Sequence, residues 1–291
     1  MTPASVTAFV VLQQHYTNRL AAAVDAHARG IGVVGRLGPT VPTELILASG
    51  RLPILVAAEM GAPTPTAEIY MEPVIAPETK SLFEIAISGH LQGFELLVLS
   101  RPYAQLYYYL KEVYRLGRAP KLPPLHMHDL MQSQRDAVRA YNWGQTRALL
   151  GRLERLSGNR ITEDSLRAAT TLTNRVRSLQ RQLIERRWSS DVSGVAALQV
   201  IGAGYFMPPE AYAETLERYL TDLRPDPELS GRPRLLVIPS EPLSHLHLHQ
   251  TLEGAGASVI AEDDWWGSRA PGSDVLPTGS ALEGLFVKYW L

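Results

Sequence analysis

Residues 234–239 read Arg-Leu-Leu-Val-Ile-Pro. This short apolar run closed by proline is the clearest strand in the chain. Pro242–Glu253 follow with helical character and stop at Gly254, and Ser258–Ala261 is a second apolar run of strand length. Strand, helix, strand with short connections is the signature of a crossover unit. Working outward, Leu198–Gly202 reads as a further strand and Pro209–Leu223 as a helix. Ala281–Leu291 reads as a crossover helix with no strand after it. The C-terminal α/β unit, residues 193–291, is therefore expected to be incomplete, by shortening or by reliance on a partner.

The same alternation fills residues 1–128. One or two helices end near Gly30, Ile31–Val34 reads as a strand, and Pro42 opens a helix that Gly50 stops. Strands are expected at Leu52–Ala57, Phe94–Leu99 and Leu122–His128, with helices near Lys80–Ile87 and Tyr103–Leu116. Residues 129–192 read as a helical connector rich in arginine. Within it Thr162 caps a helix whose Leu166, Ala169, Leu172, Val176, Leu179 and Leu183 share one face, the arginines forming a solvated face.

Composition narrows the classes. Of the 291 residues 45% are hydrophobic and 20% charged, and the formal net charge is −1, which leaves no electrostatic footprint for nucleic acid. The apolar runs are too short to span a bilayer, and no basic segment leads into an apolar core at the N-terminus, so the cytoplasm is the expected location. The chain has no cysteine. Disulfides, and any zinc or iron–sulfur centre held by this chain's own thiolates, are excluded.

Candidate site residues gather where βα loops leave the carboxyl ends of strands. Arg36, Thr40 and Glu44 lie in or beside the first such loop, where backbone N–H groups at a helix start accept an anion or a thioester oxygen. Ser240, Glu241 and His245 follow the strand at 234–239. On a helix starting at Pro242, His245 and His249 share a face at a spacing that suits a metal, with no third ligand in view, so no metal is expected. Asp263, Asp264 and Arg269 follow the strand at 258–261; adjacent carboxylates do acid–base work when their surroundings separate them. Trp265 and Trp266 either fill space or face a partner, and His126 and His128, alternating in a strand, are read as structural.

Three stretches together resemble the 2-hydroxyacyl-CoA dehydratase / benzoyl-CoA reductase family. The first is Gly32 to Pro53, with Pro-x-Glu-Leu at Pro42–Leu45 and Ala-x-Gly-x-x-Pro at Ala48–Pro53. The second is residues 158–187, with Gly-x-x-Ile-Thr leading to Leu166, then Asn174 and Arg177. The third is residues 231–269, with Gly-x-x-Arg-Leu-Leu, Ser-x-Pro-Leu and Asp-Asp-x-x-Gly-Ser-Arg. The resemblance implies two Rossmann-like (flavodoxin-like) domains, an acyl-CoA in the cleft between them, and pairing with a related subunit. It also implies three cysteines around a [4Fe-4S] cluster, which would fall near Ala76, near Ser100 and beyond Leu291. With none present, the expectation is a non-cluster subunit that binds no cofactor alone and leaves the cluster to a homologous cysteine-bearing partner. The alternatives are a non-enzymatic descendant that binds acyl-CoA or serves as a scaffold, and a redox-independent enzyme using Asp263, Asp264 and histidines.

Overall fold

The computed structural model describes residues 7–239 and 242–290. Along the chain run α1 (Ala8–Thr17), α2 (Ala21–Ala28), β1 (Val33–Leu37), α3 (Thr43–Ala48), β2 (Leu52–Leu55), α4 (Pro65–Tyr70), α5 (Pro77–Ile87), β3 (Phe94–Ser100), α6 (Ala104–Arg115) and β4 (Leu125–His128). There follow α7 (Asp136–Ser157), α8 (Glu163–Trp188), α9 (Gly194–Ala203), α10 (Pro209–Asp222), β5 (Arg234–Val237), α11 (His247–Gly254), β6 (Ser258–Glu262) and α12 (Ala281–Trp290). No helix among the described residues is long and apolar enough to cross a membrane.

The strands form two sheets, four-stranded in the order β2-β1-β3-β4 and two-stranded as β5-β6. Every pairing within them is parallel. The α/β class expected from the sequence is borne out, and the order 2-1-3-4 is that of a doubly wound, flavodoxin-like sheet. Strands β1 and β2 are buried along their whole length, which is why their sequences run apolar instead of alternating. Val34 of β1 with Leu96 and Val98 of β3 packs on Leu45 and Ile46 of α3, Leu149 and Leu153 of α7 and Leu285 of α12.

The chain divides into two compact units, and neither is contiguous. One is Met1–Ala22 with Thr171–Asp274, the other Ala23–Thr170 with Val275–Leu291. This differs from the contiguous division expected at residues 128 and 192, and burial explains it. Leu12 of α1 shares a core with Leu183, Ile201 and Tyr212, while Leu285 of α12 shares one with the four-stranded sheet. The last helix thus covers that sheet's face through Leu285, while Val287 is exposed. Trp290 donates from Nε1 to the Ser133 carbonyl at 3.2 Å, and Phe286 meets the Trp143 ring edge-on.

Two further expectations are corrected. Leu198–Gly202 is no strand; it lies in α9, whose Ser193 cap accepts from the Ala196 N–H at 3.1 Å. Residues 197–203 are all buried, and a helix apolar on every side carries no period by which to tell it from a strand. The expected helix at 242–253 begins only at His247. The arginines of α8 are not all solvated either: Arg177 and Arg187 are buried.

Candidate functional site

In the four-stranded unit the chain reverses its direction of winding between β1 and β3, so the crevice outside their carboxyl ends is where a doubly wound sheet takes ligands. Register puts Arg36 opposite Val98, Val98 opposite His126, and Ser100 opposite His128. Register partners in parallel strands project to one face, so Arg36, Ser100, His126 and His128 share the face that α7 covers. Arg36 sits inside β1 and not in the loop after it; its side chain is buried, with Nη1 3.4 Å from the Gly38 carbonyl it donates to.

After β1 the backbone turns at Gly38, whose φ of +92° favours glycine. A Cβ there would lie 2.0 Å from the Ser100 Oγ, so the loop rests directly on that hydroxyl. Thr40 is half-buried in the loop, and Glu44 follows in the first turn of α3, fully buried, accepting from the Tyr289 hydroxyl at 2.8 Å. An anion site at this helix start is not what the fold builds. Helix α3 is 6 residues long, and the Glu44 carboxyl already occupies its first turn.

The Ser100 hydroxyl and both ring nitrogens of His128 are buried without a hydrogen-bond partner among the described residues, as is His126 Nε2. Burial pushes His128 down to about 3, with His126 adding to the shift and Asp129 opposing it. His126 is pushed to about 4 by burial, reinforced by Arg152 and Arg155. Both imidazoles are therefore neutral near pH 7.

The two-stranded unit holds a second buried polar group at the carboxyl end of β6. Arg187, Glu262 and His249 are each at most 1% exposed. Arg187 Nη1 lies 2.5 Å from Glu262 Oε2, close in distance but off the line of a hydrogen bond. Arg187 Nε donates to the Val259 carbonyl at 2.9 Å, and Nη2 lies 3.4 Å from His249 Nε2. Burial raises the Glu262 carboxyl, but His249 and Arg187 beside it more than offset this and leave it below the ordinary range. Gly267 is required here, since a Cβ would lie 2.0 Å from Glu262 Oε1.

Asp264 joins the loops after β5 and β6: its carboxylate accepts from Leu243 N–H at 2.8 Å and Gly267 N–H at 2.7 Å. Burial raises its pKa against those backbone bonds. Asp263 instead faces solvent in an exposed ion pair with Arg269 at 3.2 Å. The two carboxylates are thus not a working acid–base pair. His245 lies before α11, so it does not share a helical face with His249; its ring is 5.5 Å from that of His247, and burial lowers its pKa. Among the described residues no group of three or more His, Asp or Glu side chains is placed to hold a metal. Ser240 and Glu241 lie outside the described residues. Trp266 is buried, and the Arg19 guanidinium lies over it at 5.7 Å and over the Tyr16 and Phe206 rings at 5.3 Å. Arg19 also donates to the Ser244 carbonyl at 2.7 Å, so Trp266 fills space in its own unit.

The sequence singled out neither Arg187 nor a role for Ser100, and His128 was read from it as structural. Arg187 carried a signal, standing four residues after Leu183 on the apolar stripe of α8. A cluster held by thiolates does not fit these residues, because the donor set offers no sulfur: Ala76 and Ser100 stand where the resemblance implies cysteine.

Comparison with known proteins places this geometry in context. The profile of the 2-hydroxyglutaryl-CoA dehydratase D-component family matches residues 40–290. The beta subunit of (R)-2-hydroxyglutaryl-CoA dehydratase from Acidaminococcus fermentans is 23% identical over 208 residues, 69% of this chain and 53% of that subunit. The chain thus spans about half the length of that relative. A putative dehydratase subunit, YjiM, from Escherichia coli is 25% identical over 282 residues, 91% of this chain and 71% of YjiM.

Proposed function

We propose, from the premise that this chain belongs to the 2-hydroxyglutaryl-CoA dehydratase D-component family, that it is the non-cluster subunit of a 2-hydroxyacyl-CoA dehydratase or benzoyl-CoA reductase type complex. In this reading it shapes the acyl-CoA site beside a homologous, cysteine-bearing partner that holds a [4Fe-4S] cluster. The observation that carries the reading is a family profile over most of the chain combined with a complete lack of thiolates. Both relatives are named as dehydratase subunits, which supports a multi-subunit assembly. Arg36, Thr40 and Glu44 in one unit, and Ser240, His245, Asp263, Asp264 and Arg269 in the other, are the residues proposed to line the substrate side. Each follows or ends a strand at its carboxyl end.

The test is co-expression with a cysteine-bearing homologue from the same genome. The expected result is a stable heterodimer, brown from the partner's cluster, that binds an acyl-CoA more tightly than the partner alone. A chain that ignores every such homologue and binds no acyl-CoA would overturn the proposal. Acyl-CoA binding by this chain with no partner recruited would favour the non-enzymatic binder.

A further inference from the structure

We propose that the open edge of β5 docks a second copy of this chain, the two β5 strands pairing antiparallel across a two-fold axis at Leu236. The proposal stands apart from the acyl-CoA reading and needs no cysteine-bearing partner. Its ground is the contrast between the two edges of the β5–β6 sheet. On the β6 side, side chains close off the backbone. The Val259 N–H donates to the Glu253 carboxylate at 3.3 Å, and the Val259 carbonyl accepts from Arg187 Nε at 2.9 Å. The Glu262 N–H donates to Ser268 Oγ at 3.2 Å.

The β5 side has no such closure among the described residues. The Pro233 and Val237 carbonyls accept from the Ser258 and Asp263 N–H groups at 2.8 and 2.9 Å, so these residues face β6. Successive residues of a strand alternate between its edges, and Arg234, Leu236 and Ile238 therefore turn their N–H and C=O groups outward. Their side chains share one face, and all three are exposed, Leu236 at 60% and Ile238 at 75%. Such a row is a template for another strand. Pro233 and Pro239 bracket it, which confines the pairing to the residues between them.

Charge selects the occupant and its direction. Arg234 is exposed at the N-terminal end of the row. Asp263, bound through its N–H to Val237, holds an exposed carboxylate beside the C-terminal end, where it also meets Arg269. An antiparallel mate centred on Leu236 sets Leu236 against its own copy and Arg234 against Ile238, and brings each guanidinium toward the other copy's Asp263. Their backbones lie two strand spacings apart, about 10 Å, which an arginine side chain spans. A parallel mate would set like charges side by side, which is destabilising. An apolar centre with opposite charges at its ends is what a two-fold interface uses, one patch serving both copies. Trp188, 53% exposed, extends the apolar patch, and the Arg234 guanidinium donates to its carbonyl at 2.6 Å.

The experiment follows the full chain by sedimentation equilibrium as its concentration is raised, with amide hydrogen exchange at the same concentrations. A short strand pair buries little area, so a reversible dimer is expected, with Kd on the order of 10–100 µM. Exchange at Leu236 and Ile238 should slow roughly fivefold or more as the dimer forms. Leu236→Lys sets two like charges together at the axis, on a side chain that the fold leaves in solvent. It should raise Kd roughly tenfold or more while melting as the dilute parent does. A chain that keeps a single mass well above that range, exchange at Leu236 and Ile238 that ignores concentration, or a Leu236→Lys variant that dimerises normally would each overturn the proposal. Should Leu236→Lys melt markedly lower, exchange in the parent decides alone. Pairing of this edge with a cysteine-bearing homologue and never with itself would overturn the proposal and leave the heterodimer reading standing. A dimer of this chain that recruits no homologue would do the reverse.

Discussion

His128 and Asp264 are both buried polar side chains, yet they serve opposite ends. Asp264 is fully used: each oxygen accepts a backbone N–H. Asp264→Ala leaves two donors unpaired and is expected to cost about 2–4 kcal/mol, against about 0–1 for Asp263→Ala, whose ion pair faces solvent. Urea unfolding of the two variants checks the contrast; equal losses would mean that the loop staple is misassigned. His128 is unused, and pH should reveal it. Its folded pKa, about 3, lies below that of the unfolded chain, so the unfolded state binds more protons between about pH 6.5 and 3. Stability is therefore fully present above that window and falls as the pH drops through it, by an amount on the order of 5 kcal/mol. His128→Gln should flatten the acid limb of stability against pH, and an unchanged limb would refute the assignment. Neither behaviour was legible in sequence: Asp263 and Asp264 are the same residue type side by side, and only the turn into Gly267 sends one inward.

Among the elements, the strand and helix alternation was readable wherever burial is one-sided or a cap is explicit. The stripe from Leu166 to Leu183 lies on one face of α8, and Thr162 accepts from the Ser165 N–H at 3.1 Å, as its cap position required. Element α9 was not readable, because an apolar run buried all round has no face to betray its period. The last residue of the α8 stripe is Arg187, and its pairing with Glu262 depends on β6, which no local pattern reveals. Gly267 makes that junction testable. Gly267→Ala drives a Cβ into a fully buried carboxylate and is expected to cost about 1–3 kcal/mol. Gly254→Ala at the end of α11 meets nothing within 4 Å and should be neutral or slightly stabilising. Thermal melts of the pair measure the difference, and a neutral Gly267→Ala would show that Glu262 is free to move.

For the whole molecule, the expected class of fold and the two separate parallel sheets were legible, while the allocation of the first and last segments was not. That allocation rests on which core takes Leu12 and which takes Leu285, a matter of tertiary packing. Leu285→Ala, which empties a buried position in the core that holds Val34, Leu96 and Val98, is expected to cost about 2–5 kcal/mol and to lower amide protection in β1 and β3. Loss of protection confined to α12 would count against its place in that core. The isolated chain is expected to carry neither iron nor acid-labile sulfide, and stoichiometric amounts of both would refute that.

The discontinuous make-up of the two units also constrains how the protein is born. The polypeptide passes from one unit to the other after Ala22, after Thr170 and after Asp274. A ribosome emits the four strands β1 to β4 well before α12, the helix that closes over their face. At about 5–20 residues per second the interval is on the order of ten seconds. During that time Val34, Leu96 and Leu149 lack their covering helix, and the nascent sheet is a client for a chaperone. A gene cut at any single one of these crossings would leave both products without part of a core. Split-protein pairs should therefore recover only when both halves are made together.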